Sequence, residues 1–79
     1  MRLDKYLKVS RIIKRRTVAN EAADAGRISV NGKVAKASQS IKVGDVITIA
    51  FGDKEMSVEV LSVAETVKKE EAKDMYKAL

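Results

Sequence analysis

The sequence contains neither cysteine nor histidine. Their absence removes disulfides, thiolate nucleophiles, zinc fingers, haem ligation and every histidine-based triad. Aromatic residues are scarce as well. Tyr6, Phe51 and Tyr76 are the whole set, too few for a platform that stacks successive bases. Apolar runs never exceed three residues, against about 20 for a membrane-spanning helix and roughly 7–15 for the core of a signal peptide. The N-terminus, Met1-Arg2-Leu3-Asp4-Lys5, is charged from the start. A soluble cytoplasmic protein without a membrane partner is expected. Gly26, Gly32, Gly44 and Gly52 are spaced as turns, with neither phosphate-loop nor GxGxxG spacing, and no Ser-x-x-Lys occurs. Asp53 with Glu55, and Glu70 with Glu71, read as solvated surface. The chain is therefore expected to be no enzyme and to carry no cofactor or metal.

What remains is a chain of 79 residues, enough for one domain, with 46% apolar residues to build a small core. Its net charge of +5 is unevenly placed. Residues 1–36 hold ten Lys/Arg against three Asp/Glu, whereas residues 37–79 hold six against eight. All five arginines, Arg2, Arg11, Arg15, Arg16 and Arg27, lie in the first 27 residues. A basic face and a polyanionic partner follow from that segregation.

Leu3, Tyr6 and Leu7 recur at helical spacing, which predicts a short amphipathic helix over residues 2–9. Ile12 and Ile13 are expected to plug the core in the connection. A second helix falls between residues 15 and 25, with Val18, Ala19, Ala22 and Ala23 as its apolar stripe, Thr17 as the best cap by residue type and Gly26 as its stop. From Arg27 the period becomes two. Asn31-Gly32 between β-type runs predicts a hairpin, because a type I′ turn needs positive φ at both positions. Gly44-Asp45 marks a turn, residues 46–51 a strand with Ile47, Ile49 and Phe51 on one face, and residues 56–63 a further strand. Ala72, Met75, Tyr76 and Leu79 predict a terminal helix from about Lys68. The sum is an α+β fold with a small, mostly antiparallel sheet.

The chemistry is concentrated in one constellation. Arg2, Lys5 and Lys8 share a flank of the first helix, and Arg11, Lys14, Arg15 and Arg16 follow. Arginines at a helix start are unfavourable by a few tenths of a kcal/mol. They suit a phosphate, which takes helix N–H groups and guanidinium forks together.

Arg2-Leu3-Asp4-Lys5-Tyr6-Leu7, Lys14-Arg15-Arg16-Thr17-Val18-Ala19 and Gly26-Arg27-Ile28-Ser29-Val30-Asn31-Gly32 together resemble the S-four RNA-binding domain, over about residues 2–50. The resemblance implies an alpha-L RNA-binding motif: two N-terminal helices packed on the sheet, with a short C-terminal helix. Residues 1–64 would form the RNA-binding domain and residues 65–79 a helical tail. It also assigns the RNA contacts. Arg2 and Arg16 lead, Arg11, Lys14 and Arg15 support them, and Lys5, Asn31 and Lys33 lie at the margin. Asp4 would hold Arg2 or a neighbouring basic side chain, and Leu3, Leu7, Ala19 and Ile28 would be core. Arg15 stands where many members have Ser, which removes a capping hydroxyl and adds a charge.

With no catalytic domain beside the motif, the synthase and synthetase activities of larger members are not implied. The tail resembles stand-alone members, among them the heat-shock protein fifteen group, whose long basic extension is missing here. The implied role is in ribosome-associated quality control. Such a factor binds rRNA and peptidyl-tRNA on obstructed large ribosomal subunits and aids an RqcH-type tailing factor that adds alanine to stalled chains, acting as a monomer. Two alternatives stay open: a ribosome-assembly or heat-shock rRNA-binding factor, and a protein-interaction module that docks its C-terminal helix.

Overall fold

Leu3, Tyr6 and Leu7 are completely buried and form the inner face of α1 (Leu3–Val9) in the computed structural model, which describes residues 1–65 and 67–79. The first N–H groups of α1 are satisfied by the chain itself. Those of Leu3 and Asp4 donate to the carbonyls of Gln39 and Ala37, at 2.8 and 3.1 Å, and that of Lys5 donates to the Asp4 carboxylate. The connection then buries Ile13 and half-buries Ile12.

Helix α2 spans Arg16–Asp24. Thr17 is not its cap. The capping position belongs to Arg15, extended at φ −115°, ψ 129°, and no side chain caps the helix. Ala19 and Ala23 are buried and Ala22 is partly so, but Val18 is 45% exposed and lies outside the stripe. Gly26, at φ +74°, follows the last turn as a left-handed stop.

Five antiparallel strands form one sheet in the order β2-β1-β3-β4-β5. They are β1 (Ile28–Val30), β2 (Lys33–Val34), β3 (Val46–Phe51), β4 (Lys54–Val60) and β5 (Tyr76–Ala78). Asn31 and Gly32 have φ of 53° and 85° in the β1–β2 turn, as a type I′ hairpin requires. Ile28, Val30, Ile47, Ile49, Val58 and Val60 are buried and join the α1 and α2 side chains in a single core. Phe51, at the end of β3, is 51% exposed. β4 starts two residues earlier than its apolar pattern suggests, because the Gly52-Asp53 turn brings Lys54 straight into register with Phe51. It ends at Val60, where the N–H groups of Leu61 and Ser62 turn to the Met75 carbonyl.

The C-terminal segment differs most from expectation. Only Lys69–Ala72 is α-helical (α3); a 3₁₀ turn over Lys73–Met75 follows, and then β5 pairs with β4. Ala72 and Met75 are buried as the periodicity required, but Tyr76 is half-buried in a strand and Leu79 is 66% exposed. A dozen residues make a marginal helix alone, whereas the open edge of β4 offers a full set of backbone partners.

Candidate nucleic-acid interface

α1, the turn after it, the start of α2 and the returning tail surround an open cleft of about 770 Å³. Six cationic side chains line it: Lys5 and Lys8 from α1, Arg11 and Lys14 from the turn, Arg16 from α2 and Lys69 from α3. Val9 and Val67 supply apolar floor, and Glu65 is its acidic member. The Glu65 carboxylate is paired with the Lys5 ammonium, a contact that holds its pKa below the ordinary carboxylate value.

Arg2 and Arg16 meet on Asp4. Arg2 donates from Nε to Oδ1 and from Nη2 to Oδ2, both at 3.2 Å. Arg16 donates from Nη2 to Oδ1 at 3.3 Å and sets its Nε 3.2 Å from Oδ2. Asn20 adds a 2.8 Å bond to Oδ2, and the Lys5 N–H adds one of 2.8 Å to Oδ1. Asp4 is 1% exposed, while the Arg2 and Arg16 side chains are 50% and 42% exposed. Burial alone would raise the Asp4 pKa. The bonds from Arg16, Asn20, Lys5 and Arg2 outweigh it, so the carboxyl titrates below its ordinary value.

Arg11 holds the position just after the α1 cap in a left-handed conformation, φ 64°, where glycine is usual. Its N–H donates to the Lys8 carbonyl, Ser10 Oγ bonds the Leu7 carbonyl, and Ile13 N–H closes on Leu7. These bonds carry the side chain to the cleft wall.

The residues expected to contact RNA thus separate into three groups. Lys5, Arg11, Lys14 and Arg16 line the cleft, and Arg2 joins Arg16 through Asp4. Arg15 is exposed at the start of α2 but does not line the cleft. Asn31 and Lys33 lie on the hairpin, outside it. The Asn31 amide holds the fold: Nδ2 donates to Asp45 at 3.1 Å and Oδ1 accepts from the Val46 N–H at 2.9 Å. Lys8 and Lys69 are the cleft cations that sequence reasoning did not place among the contacts. For Lys8 the signal existed, three residues from Lys5 on the same flank. Lys69 had none, because it arrives from the acidic half of the chain through the tertiary fold.

Two helices, a hairpin and a cationic cleft define a small RNA-binding module. The S4 domain sequence model matches residues 1–47, and the chain belongs to the S4 domain family. The RQC P-site tRNA stabilizing factor of Bacillus subtilis is 60% identical to it over 79 residues, all of this chain and 92% of that protein. The protein of the same name from Streptococcus pneumoniae is also 60% identical, over all of this chain and 90% of its own length. Among solved structures, the trimeric Heat Shock Protein 15 of Vibrio cholerae superposes with a TM-score of 0.90 at 30% identity, over 100% of this chain and 81% of that one. Among the described residues, no helix is long and apolar enough to cross a membrane.

Proposed function

We propose that this protein is a non-catalytic, cytoplasmic factor of ribosome-associated quality control. It binds rRNA and peptidyl-tRNA on obstructed large ribosomal subunits and holds the tRNA there. An RqcH-type partner then extends the stalled chain with alanine. The observation that carries the reading is the cleft, where six cations from four parts of the chain face one paired acid. Such a concave cationic surface follows a phosphate backbone and lacks the aromatic stacking that single-stranded bases require. The names of the 60% identical relatives support the tRNA and the quality-control setting.

The test is sedimentation with large subunits that carry peptidyl-tRNA. The protein should co-sediment, and Arg16→Ala should abolish co-sedimentation while the far-UV spectrum is retained. Binding should weaken steeply with salt, each lost phosphate contact flattening the log–log slope by about 0.7–0.9. Co-sedimentation indifferent to replacement of Arg2 and Arg16 would sink the proposal. Recovery from cells on subunits without tRNA would favour the assembly role instead.

A further inference from the structure

Asn31-Gly32 takes no part in the cleft, yet its two residues can react with each other. The asparagine side chain carries an electrophilic carbon, Cγ, which reaches the nitrogen of the next residue by closing a five-membered ring. Glycine leaves that nitrogen unhindered, because it has no Cβ. Asn20, the only other asparagine, precedes Glu21, whose side chain crowds the same approach. Water reaches the turn freely, since Asn31, Gly32, Lys33 and Val34 are all exposed.

The folded geometry commits the reacting amide to other bonds. Asn31 Nδ2 donates to Asp45 Oδ1 at 3.1 Å, and Oδ1 accepts from the Val46 N–H at 2.9 Å. The Asn31 N–H donates to the Val46 carbonyl at 2.7 Å. Turning Cγ towards the Gly32 nitrogen breaks both side-chain bonds. The acceptor is itself fixed: Asp45 is 6% exposed, and its Oδ2 takes the Lys42 N–H at 2.9 Å. On the other side the restraint is slight. β2 is only Lys33–Val34, both exposed, and two register pairs hold it to β1 at the edge of the sheet. Such an edge opens at far lower free energy than the whole domain.

We propose that Asn31-Gly32 is a self-modification site that the fold holds shut, with Asp45 and the Val46 N–H restraining the amide until the β1–β2 hairpin opens. In the open state the Gly32 nitrogen attacks Asn31 Cγ. The N–Cγ bond forms, the Cγ–Nδ2 bond breaks, and Nδ2 leaves as ammonia with the Gly32 proton. Water then opens the succinimide ring. Attack at Cγ gives aspartate; attack at the main-chain carbonyl gives isoaspartate, whose main chain runs through Cγ. One water enters and one ammonia leaves, with no oxidant or reductant. Neither product fits the site. Aspartate removes the donor to Asp45 and sets a second carboxylate against a buried one. Isoaspartate lengthens the two-residue turn that fixes the strand register. A transient opening thereby becomes a permanent one.

Full-length protein incubated at mildly alkaline pH, native and in guanidinium chloride, tests this. Conversion is read by mass spectrometry on the Ile28–Lys33 tryptic peptide. Native protein should convert at least about tenfold more slowly than unfolded protein, the ratio set by the opening equilibrium. Asp45→Asn leaves one oxygen where two N–H groups are served. Its folded form should convert about threefold to tenfold faster than wild type, as loss of one hydrogen bond allows. Protein converted while unfolded and then refolded should have a lower urea midpoint than wild type, as should Asn31→Asp. Equal rates in native and unfolded protein would overturn the proposal, and so would an unchanged rate in folded Asp45→Asn. Converted protein as stable as wild type would overturn the permanent opening. Should Asp45→Asn fail to fold, the comparison of native with unfolded wild type decides.

Discussion

Arg11 and Asn31 both have positive φ, and the contrast between them separates function from folding. Asn31 is suited to its conformation, and its amide closes the hairpin onto Asp45 and β3. Arg11 has no such local excuse. A left-handed arginine carries a penalty of about 1–2 kcal/mol that glycine avoids, and its side chain lies on the cleft wall. Arg11→Gly is therefore expected to raise stability by about 0.5–1 kcal/mol, net of glycine's backbone entropy, while RNA binding weakens and its salt slope falls. Urea denaturation alongside RNA-hairpin binding reads both quantities. Stability gained with binding intact would remove Arg11 from the interface.

The C-terminal elements show how a local pattern is overruled. Ala72 and Met75 obey helical spacing for one turn, and burial of a side chain like Met75 is worth about 1.5–3 kcal/mol. Beyond it, the free edge of β4 competes with helix continuation, and β5 forms. The Tyr6 hydroxyl donates to the Met75 carbonyl at 2.7 Å and locks this turn to α1; its pKa is pushed well above the ordinary tyrosine value by burial and by Tyr76. That carbonyl also accepts from Leu61 and Ser62, so Tyr6→Phe should cost only about 0.5–1.5 kcal/mol. Removing residues 69–79 should unfold the protein, since it bares β4 and empties the Met75 site. Circular dichroism distinguishes the two outcomes. A truncated chain that stays folded and loses only a protein partner would restore the docking-helix alternative.

For the molecule as a whole, the Asp4 hub ties folding to pH. Its carboxyl titrates below the ordinary 3.8 in the folded state, so the stabilisation is fully present above that value and is lost as pH falls through the lowered pKa. The urea midpoint should hold from neutrality to about pH 5 and then drop. In Asp4→Asn it should start lower and drop less. An equally steep acid drop in that variant would place the acid lability in other carboxylates.

The sequence by itself determined what short-range chemistry controls. The α1 face, the Gly26 stop, the Asn31-Gly32 turn, the strand over residues 46–51 and the concentration of arginine all follow from neighbours a few positions apart. The tertiary structure decided the rest: Lys69 and Glu65 in a cleft built largely by the first helices, Arg16 and Asn20 brought from α2 onto Asp4, and a strand where periodicity suggested helix. Each of these pairs groups from distant parts of the chain. Burial and free backbone edges there outweigh the few tenths of a kcal/mol by which local propensity distinguishes one conformation from another.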